Sequence, residues 1–85
     1  MNWELRVDPI VLKQLKKVQP KDAKRILSAI EGMAFNPYAG DIEKMRGEDD
    51  VWRRRVGAYR IFYEVIPARK IVHVYRVVRR TSTTY

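Results

Sequence analysis

The spacing of apolar and polar positions changes several times along the chain, and each change marks an element. Residues 2–7 alternate, with Trp3, Leu5 and Val7 on one side and Asn2, Glu4 and Arg6 on the other, which predicts a short half-buried strand. Asp8-Pro9 then reads as a helix start, with Asp as N-cap and Pro at the first helical position, where its missing N–H costs nothing. Val11, Leu12, Leu15 and Val18 recur at helical spacing, and Lys13, Lys16 and Lys17 fall on the wet face. Gln19-Pro20 breaks this helix and opens a second, because proline disfavours helical geometry in the residue before it. The second stripe is Ala23, Ile26, Leu27, Ile30, Met33 and Ala34; Gly32 weakens its last turn, and Asn36-Pro37 ends it. The two form an α-hairpin with a shared apolar seam, followed by a loop at Ala39-Gly40.

Ile42 to Met45 reads as a short strand and Gly47-Glu48-Asp49-Asp50 as a polar turn. The stretch from Val51 to Ile66 consists of two β-branched and aromatic runs flanking Gly57-Ala58. Glycine at the first central position is the mark of a two-residue type II′ hairpin. That turn sets Val56 against Tyr59, Arg55 against Arg60, Arg54 against Ile61, Arg53 against Phe62 and Trp52 against Tyr63. Trp52, Val56, Tyr59, Ile61, Tyr63 and Val65 then make an apolar face, with Arg53, Arg55, Arg60 and Phe62 on the other. After a turn at Pro67-Ala68-Arg69, Ile71 to Val78 forms a last strand, apolar on both faces apart from His73 and Arg76, as a central strand would be. A turn of three residues puts Arg76 on the face of Arg60, and a turn of four puts His73 and Tyr75 there. The tail from Arg79 to Tyr85 has no core pattern and reads as an ordinary frayed end, although two arginines leaving the strand beside the Arg-rich hairpin, followed by a terminal tyrosine, extend the same basic face. The expected architecture is one α+β domain over residues 1–85 in the order β-α-α-β-β-β-β, an α-hairpin packed on one side of a mostly antiparallel sheet of four to five strands.

Charge sharpens this picture. The 85 residues carry a net charge of +8. Residues 1–50 hold nine Lys/Arg and nine Asp/Glu, whereas residues 51–85 hold nine Lys/Arg against Glu64 alone, so the whole excess lies in the last 35 residues. Such one-sidedness suits phosphate backbones or another acidic partner. Like charges directly across a ladder are destabilising, so Arg55 against Arg60 carries a cost. Either a bound polyanion removes it or the guanidiniums point apart into solvent.

The absence of cysteine rules out disulfides, thiol nucleophiles and cysteine-ligated zinc, and a single histidine, His73, argues against a two-histidine site or a transition metal. His73 reads as a packed residue. No apolar run is long enough to span a bilayer, and no secretion signal is visible, so the expected compartment is the cytoplasm. Guanidiniums stabilise charge growing on a phosphorane, and a tyrosine crowded by cations is drawn toward tyrosinate. Tyr85 beside Arg53, Arg55 and Arg80 is therefore a reasonable general base for cutting RNA at its 2′-hydroxyl, and Phe62 and Tyr85 offer rings for base stacking.

The run from Trp52 to Tyr63, Trp-Arg-Arg-Arg-Val-Gly-Ala-Tyr-Arg-Ile-Phe-Tyr, with the pair Arg79-Arg80 and a tail tyrosine, resembles the RelE/ParE toxin superfamily of toxin–antitoxin pairs. Asp8-Pro9, Val11 with Leu15, Asn36-Pro37 and Lys44-Met45-Arg46-Gly47 extend the likeness over nearly the whole chain. The RelE branch implies a ribosome-dependent endoribonuclease that cuts mRNA in the A site and is silenced by a cognate antitoxin. Its implied partners are the antitoxin, the ribosome and mRNA, with no membrane, metal or small-molecule cofactor. On that resemblance, Arg60 and Arg80 contact the scissile phosphate, Tyr85 acts as base or stacking ring, and Arg53 and Arg55 take the basic catalytic positions. Arg53, Arg54, Arg55, Phe62, Arg76 and Arg79 form the RNA-binding set. Relatives often have His-Arg in place of Arg79-Arg80 and an apolar residue in place of Arg54. The other readings are a ParE-like toxin that poisons DNA gyrase without nuclease chemistry, and a basic RNA-binding module.

Overall fold

The computed structural model describes residues 3–79. β1 (Glu4–Val7) leads into α1 (Pro9–Lys16) and α2 (Pro20–Gly32), followed by β2 (Ile42–Lys44), β3 (Val51–Val56), β4 (Tyr59–Ile66), a single 3₁₀ turn (Pro67–Arg69) and β5 (Ile71–Arg79). The five strands form one sheet in the order β1-β5-β4-β3-β2. β1 pairs with β5 in parallel, and every other pairing is antiparallel. The α-hairpin carries the chain from β1 at one edge of the sheet to β2 at the other, and the three antiparallel connections that follow bring β5 back beside β1. The expected α+β order is therefore the observed one.

Local chemistry sets the helix boundaries. The Asp8 carboxylate accepts a hydrogen bond from the Ile10 N–H at 3.0 Å, with Pro9 in the first turn. α2 also starts on a proline but has no side-chain cap, and it stops at Gly32. Both helices cover the same face of the sheet. Val11 and Leu15 of α1 and Ile26, Ala29 and Ile30 of α2 pack on Ile61, Tyr63, Val65, Val72, Val74 and Val77. Two positions assigned to the helical stripes lie outside this seam: Leu12 is 51% exposed and Leu27 39%. The face that meets the sheet runs through Val11 and Leu15 on α1 and through Ile26, Ala29 and Ile30 on α2, which leaves Leu12 and Leu27 at its margin, because one sheet face needs only a narrow stripe from each helix.

Tyr63 ties the loop after α2 to the middle of the sheet. Its ring is fully buried, and its hydroxyl donates to the Pro37 carbonyl at 2.7 Å. Burial pushes this phenol up to about 12, from 10.0. Tyr63→Phe is expected to cost about 1–2 kcal/mol, since the Pro37 carbonyl then has no donor. The folded phenol holds its proton above the unfolded value, so its contribution is complete below pH 10 and lost as pH rises toward about 12. Urea midpoints of both proteins at neutral and alkaline pH check this: their difference should shrink on the alkaline side.

Candidate RNA-binding face

The β3–β4 hairpin has the register its turn residues predict, from Trp52 against Tyr63 to Val56 against Tyr59. Gly57 has φ 57° and Ala58 is not in the positive-φ region, as a type II′ turn requires. With Ile61, Tyr63 and Val65 held inward by the core, alternation sends Arg53, Arg55, Arg60 and Phe62 to the opposite, helix-free face.

Two carboxylates on or beside β2 meet these arginines. Arg53 Nε donates to Glu43 Oε1 at 2.9 Å, and a second guanidinium nitrogen contacts the same oxygen. Arg55 Nε donates to Asp41 Oδ2 at 2.9 Å. The cost of Arg55 facing Arg60 is thus offset from within the chain, an outcome the charge pattern of the hairpin alone did not predict. Among the described residues, no carboxylate comes within ion-pair distance of Arg60 or Arg76. A recess of about 340 Å³ opens here, lined by Asp41, Ile42, Glu43, Arg53, Arg55 and Arg60. Asp41 and Glu43 are the site residues that sequence reasoning missed. They precede their arginines by 14 and 10 positions, and only the pairing of β2 with β3 brings them together.

β5 resolves the two turn lengths in an unexpected way. Pro67 to Lys70 form a four-residue turn closed by Lys70 at φ 55°, so Ile66 pairs with Ile71 and Glu64 with His73. His73 thus faces the basic side. Between Tyr63–Val74 and Phe62–Arg76 the ladder slips, leaving Tyr75 as the extra residue of a β-bulge. The slip brings Arg76 to the same face, with its guanidinium 5.5 Å from the centre of the Phe62 ring. Each turn length alone predicted half of this arrangement.

The remaining site candidates separate. Arg54 points toward α2, where its Nε is buried without a hydrogen-bond partner and its guanidinium packs on Gly40. Gly40 has φ 88°, a conformation that favours glycine, and a Cβ there would lie 2.7 Å from the Arg54 guanidinium, which would have to shift. Arg54 lines a second groove of about 800 Å³ with Lys21, Lys24 and Arg25. Arg79 pairs with Tyr59, which packs against the core, and so sits on the helix side at the end of β5. Arg80 and Tyr85 lie outside the described residues. The structure therefore brings together Arg53, Arg55, Arg60, Phe62 and Arg76, and sets Arg54 and Arg79 apart.

An uncovered sheet face with clustered guanidiniums over a recess suits a phosphate-bearing chain, and the comparisons with known proteins bear on which one. The profile of the family described as ParE toxin of type II toxin–antitoxin system, parDE, matches residues 5–83. The chain belongs to the RelE/ParE toxin superfamily. It is 31% identical over 83 residues to a Methanocaldococcus jannaschii protein designated toxin RelE1, covering 94% of this chain and 92% of that one. The RelB–RelE antitoxin–toxin complex of Methanococcus jannaschii matches with TM-score 0.74 and 30% identity over 88% of this chain and 90% of the other. The archaeal RelE–RelB complex from Pyrococcus horikoshii OT3 matches with TM-score 0.84 over 98% of this chain and 100% of the other, at 23% identity, which speaks to the fold. The protein is a RelE-like toxin of a type II toxin–antitoxin system.

In this toxin the Arg53 guanidinium, by hydrogen bond and charge, holds the Glu43 carboxyl below its usual 4.5. The ion pair is therefore expected to persist as pH falls through 4.5 and to be lost only below it. Carboxyl carbon NMR shifts should give a Glu43 midpoint under 4.5 that moves back up in Arg53→Ala. In Glu43→Gln the Arg53 charge is released, and affinity for heparin at low salt should rise about 2- to 5-fold, as expected for an exposed pair.

Proposed function

We propose that this toxin is a ribosome-dependent endoribonuclease that cuts mRNA in the A site. The observation that carries the reading is the cluster of Arg53, Arg55, Arg60 and Arg76 on a sheet face that neither helix covers. Arg60, with no carboxylate partner among the described residues, is free to meet the scissile phosphate, and its fixed donors stabilise the charge that grows on the phosphorane oxygens. Arg53 and Arg55 complete the cationic recess, and Arg80 adds a second contact to the phosphate. Tyr85 takes the 2′-hydroxyl proton or stacks on a base. Each of these steps uses protein side chains alone. No helix of the described residues is long and apolar enough to cross a membrane.

The partner in the resting cell is a cognate antitoxin. The matched Methanococcus jannaschii toxin, crystallised with RelB, supports this. An acidic antitoxin segment that neutralises the arginine face, or that wraps the helices and exposed sheet edge, would block RNA access.

Primer extension on a reporter mRNA in a translating extract tests the activity. Wild type is expected to give discrete cuts within A-site codons that vanish on ribosome-depleted RNA. Arg60→Ala, Arg80→Ala and Tyr85→Phe should each slow cutting by about 100-fold or more. Intact mRNA from a wild type that still arrests growth would sink the nuclease reading and turn attention to DNA gyrase, through a supercoiling assay. Salt-sensitive RNA binding with no cleavage and no growth arrest would instead leave a binding module.

A further inference from the structure

Three rings lie in a row on the helix-free face. The Phe62 and Tyr75 centroids are 6.5 Å apart with planes at 49°, and those of Tyr75 and His73 are 6.0 Å apart at 47°. All three are half-buried, and both helices pack on the opposite side of the sheet, so folding leaves these rings open to solvent on one side. The row starts at the basic cluster, where Arg76 lies over Phe62, and runs toward Glu64, the cross-strand partner of His73. Charge therefore divides this face: arginines at the Phe62 end, and carboxylates near Tyr75 and His73. Phosphates favour the first end, while the second offers flat surfaces and repels anions.

We infer that Phe62, Tyr75 and His73 form a stacking lane for the bases of single-stranded RNA next to the scissile phosphate, with the phosphates held by Arg53, Arg55, Arg60 and Arg76. The chemistry is sequence-tolerant, since every base has a π-face. The bulge is the device that makes the lane: its extra residue is Tyr75, and it turns Tyr75 and Arg76 to one face. Burial, then Glu48 and Glu64, push the Tyr75 phenol above its ordinary value, so Tyr75 serves as a neutral ring and not as a base.

This inference rests on the RNA-cleaving reading, and its test is separable from it. A fluorescein-labelled, mixed-sequence single-stranded oligoribonucleotide and its abasic counterpart are titrated with the full chain by anisotropy at low salt. Tyr75→Leu is expected to weaken the base-bearing strand about 5- to 150-fold, the span of a stacked ring, and to leave the abasic strand unchanged. Tyr75→Phe and Tyr75→Trp should bind like wild type, and Arg60→Ala should weaken both strands. Phe62→Leu repeats the test at a second ring, and thermal melts show that each variant is folded. Folded Tyr75→Leu and Phe62→Leu proteins that bind both strands like wild type, or lose both equally, overturn the lane. So does a Tyr75→Leu effect confined to antitoxin affinity. Ribosome-dependent cutting without base-dependent binding removes the lane and keeps the nuclease; base-dependent binding without cutting does the reverse.

Discussion

The inward face of β4 is the constraint on which the molecule depends. Ile61, Tyr63 and Val65 are each at most 1% exposed and pack with Val72, Val74 and Val77 against the seam of the two helices. Fully burying one such aliphatic side chain contributes about 1.5–3 kcal/mol, so together these positions outweigh any surface pairing in the chain. A slip of one residue would exchange them for Arg60, Phe62 and Glu64, and place a charge in the core. The register of the outer face is thereby enforced from inside: the arginines stand where they do because their neighbours in sequence cannot leave the core.

That enforcement explains why the chain tolerates a frustrated surface. Arg55 against Arg60 is destabilising, yet the hydrophobic register leaves no alternative pairing. The structure moderates the cost with Asp41 and Glu43, carried on the edge strand β2 and the residue just before it. Both pairs are exposed, and exposed pairs contribute little and give way to competing ions. A polyanion can therefore displace the carboxylates at small cost. Two arginines are shielded and two are open, which suits a surface that must remain folded before it meets an acidic partner.

Much of this was legible in the sequence, for identifiable reasons. Gly57-Ala58 names its own turn type, and a two-residue turn leaves one register, so every pair of the β3–β4 hairpin followed. Asp8-Pro9 and Gln19-Pro20 marked helix starts through local backbone chemistry that tertiary packing did not override. The resemblance of the hairpin and its flanks to known toxins supplied the family. Leu12 and Leu27 were misplaced because helical spacing defines a wide stripe and the sheet covers only part of it. Asp41 and Glu43 stayed hidden because nothing in the local pattern of residues 41–44 fixes which of their side chains will face β3. Arg80 and Tyr85 lie outside the described residues, so the tail rests on the charge pattern and the resemblance.

β5 is the instructive case, because stability and site geometry meet there in one irregularity. Regular alternation from Val72 and Val74 would next bury Arg76 and expose Val77. The observed strand buries Val77 and exposes Arg76, and the extra residue in the ladder makes both possible. The apolar spacing of two positions and then three, Val72, Val74, Val77, is the trace of that bulge in the sequence. A bulge forfeits regular ladder pairing at one residue, while a guanidinium forced into the core would cost several kcal/mol. The cheaper solution is also the one that collects Arg76, Tyr75 and His73 on the face of Arg60. Keeping one arginine out of the core thus lays down the surface beside the arginine recess.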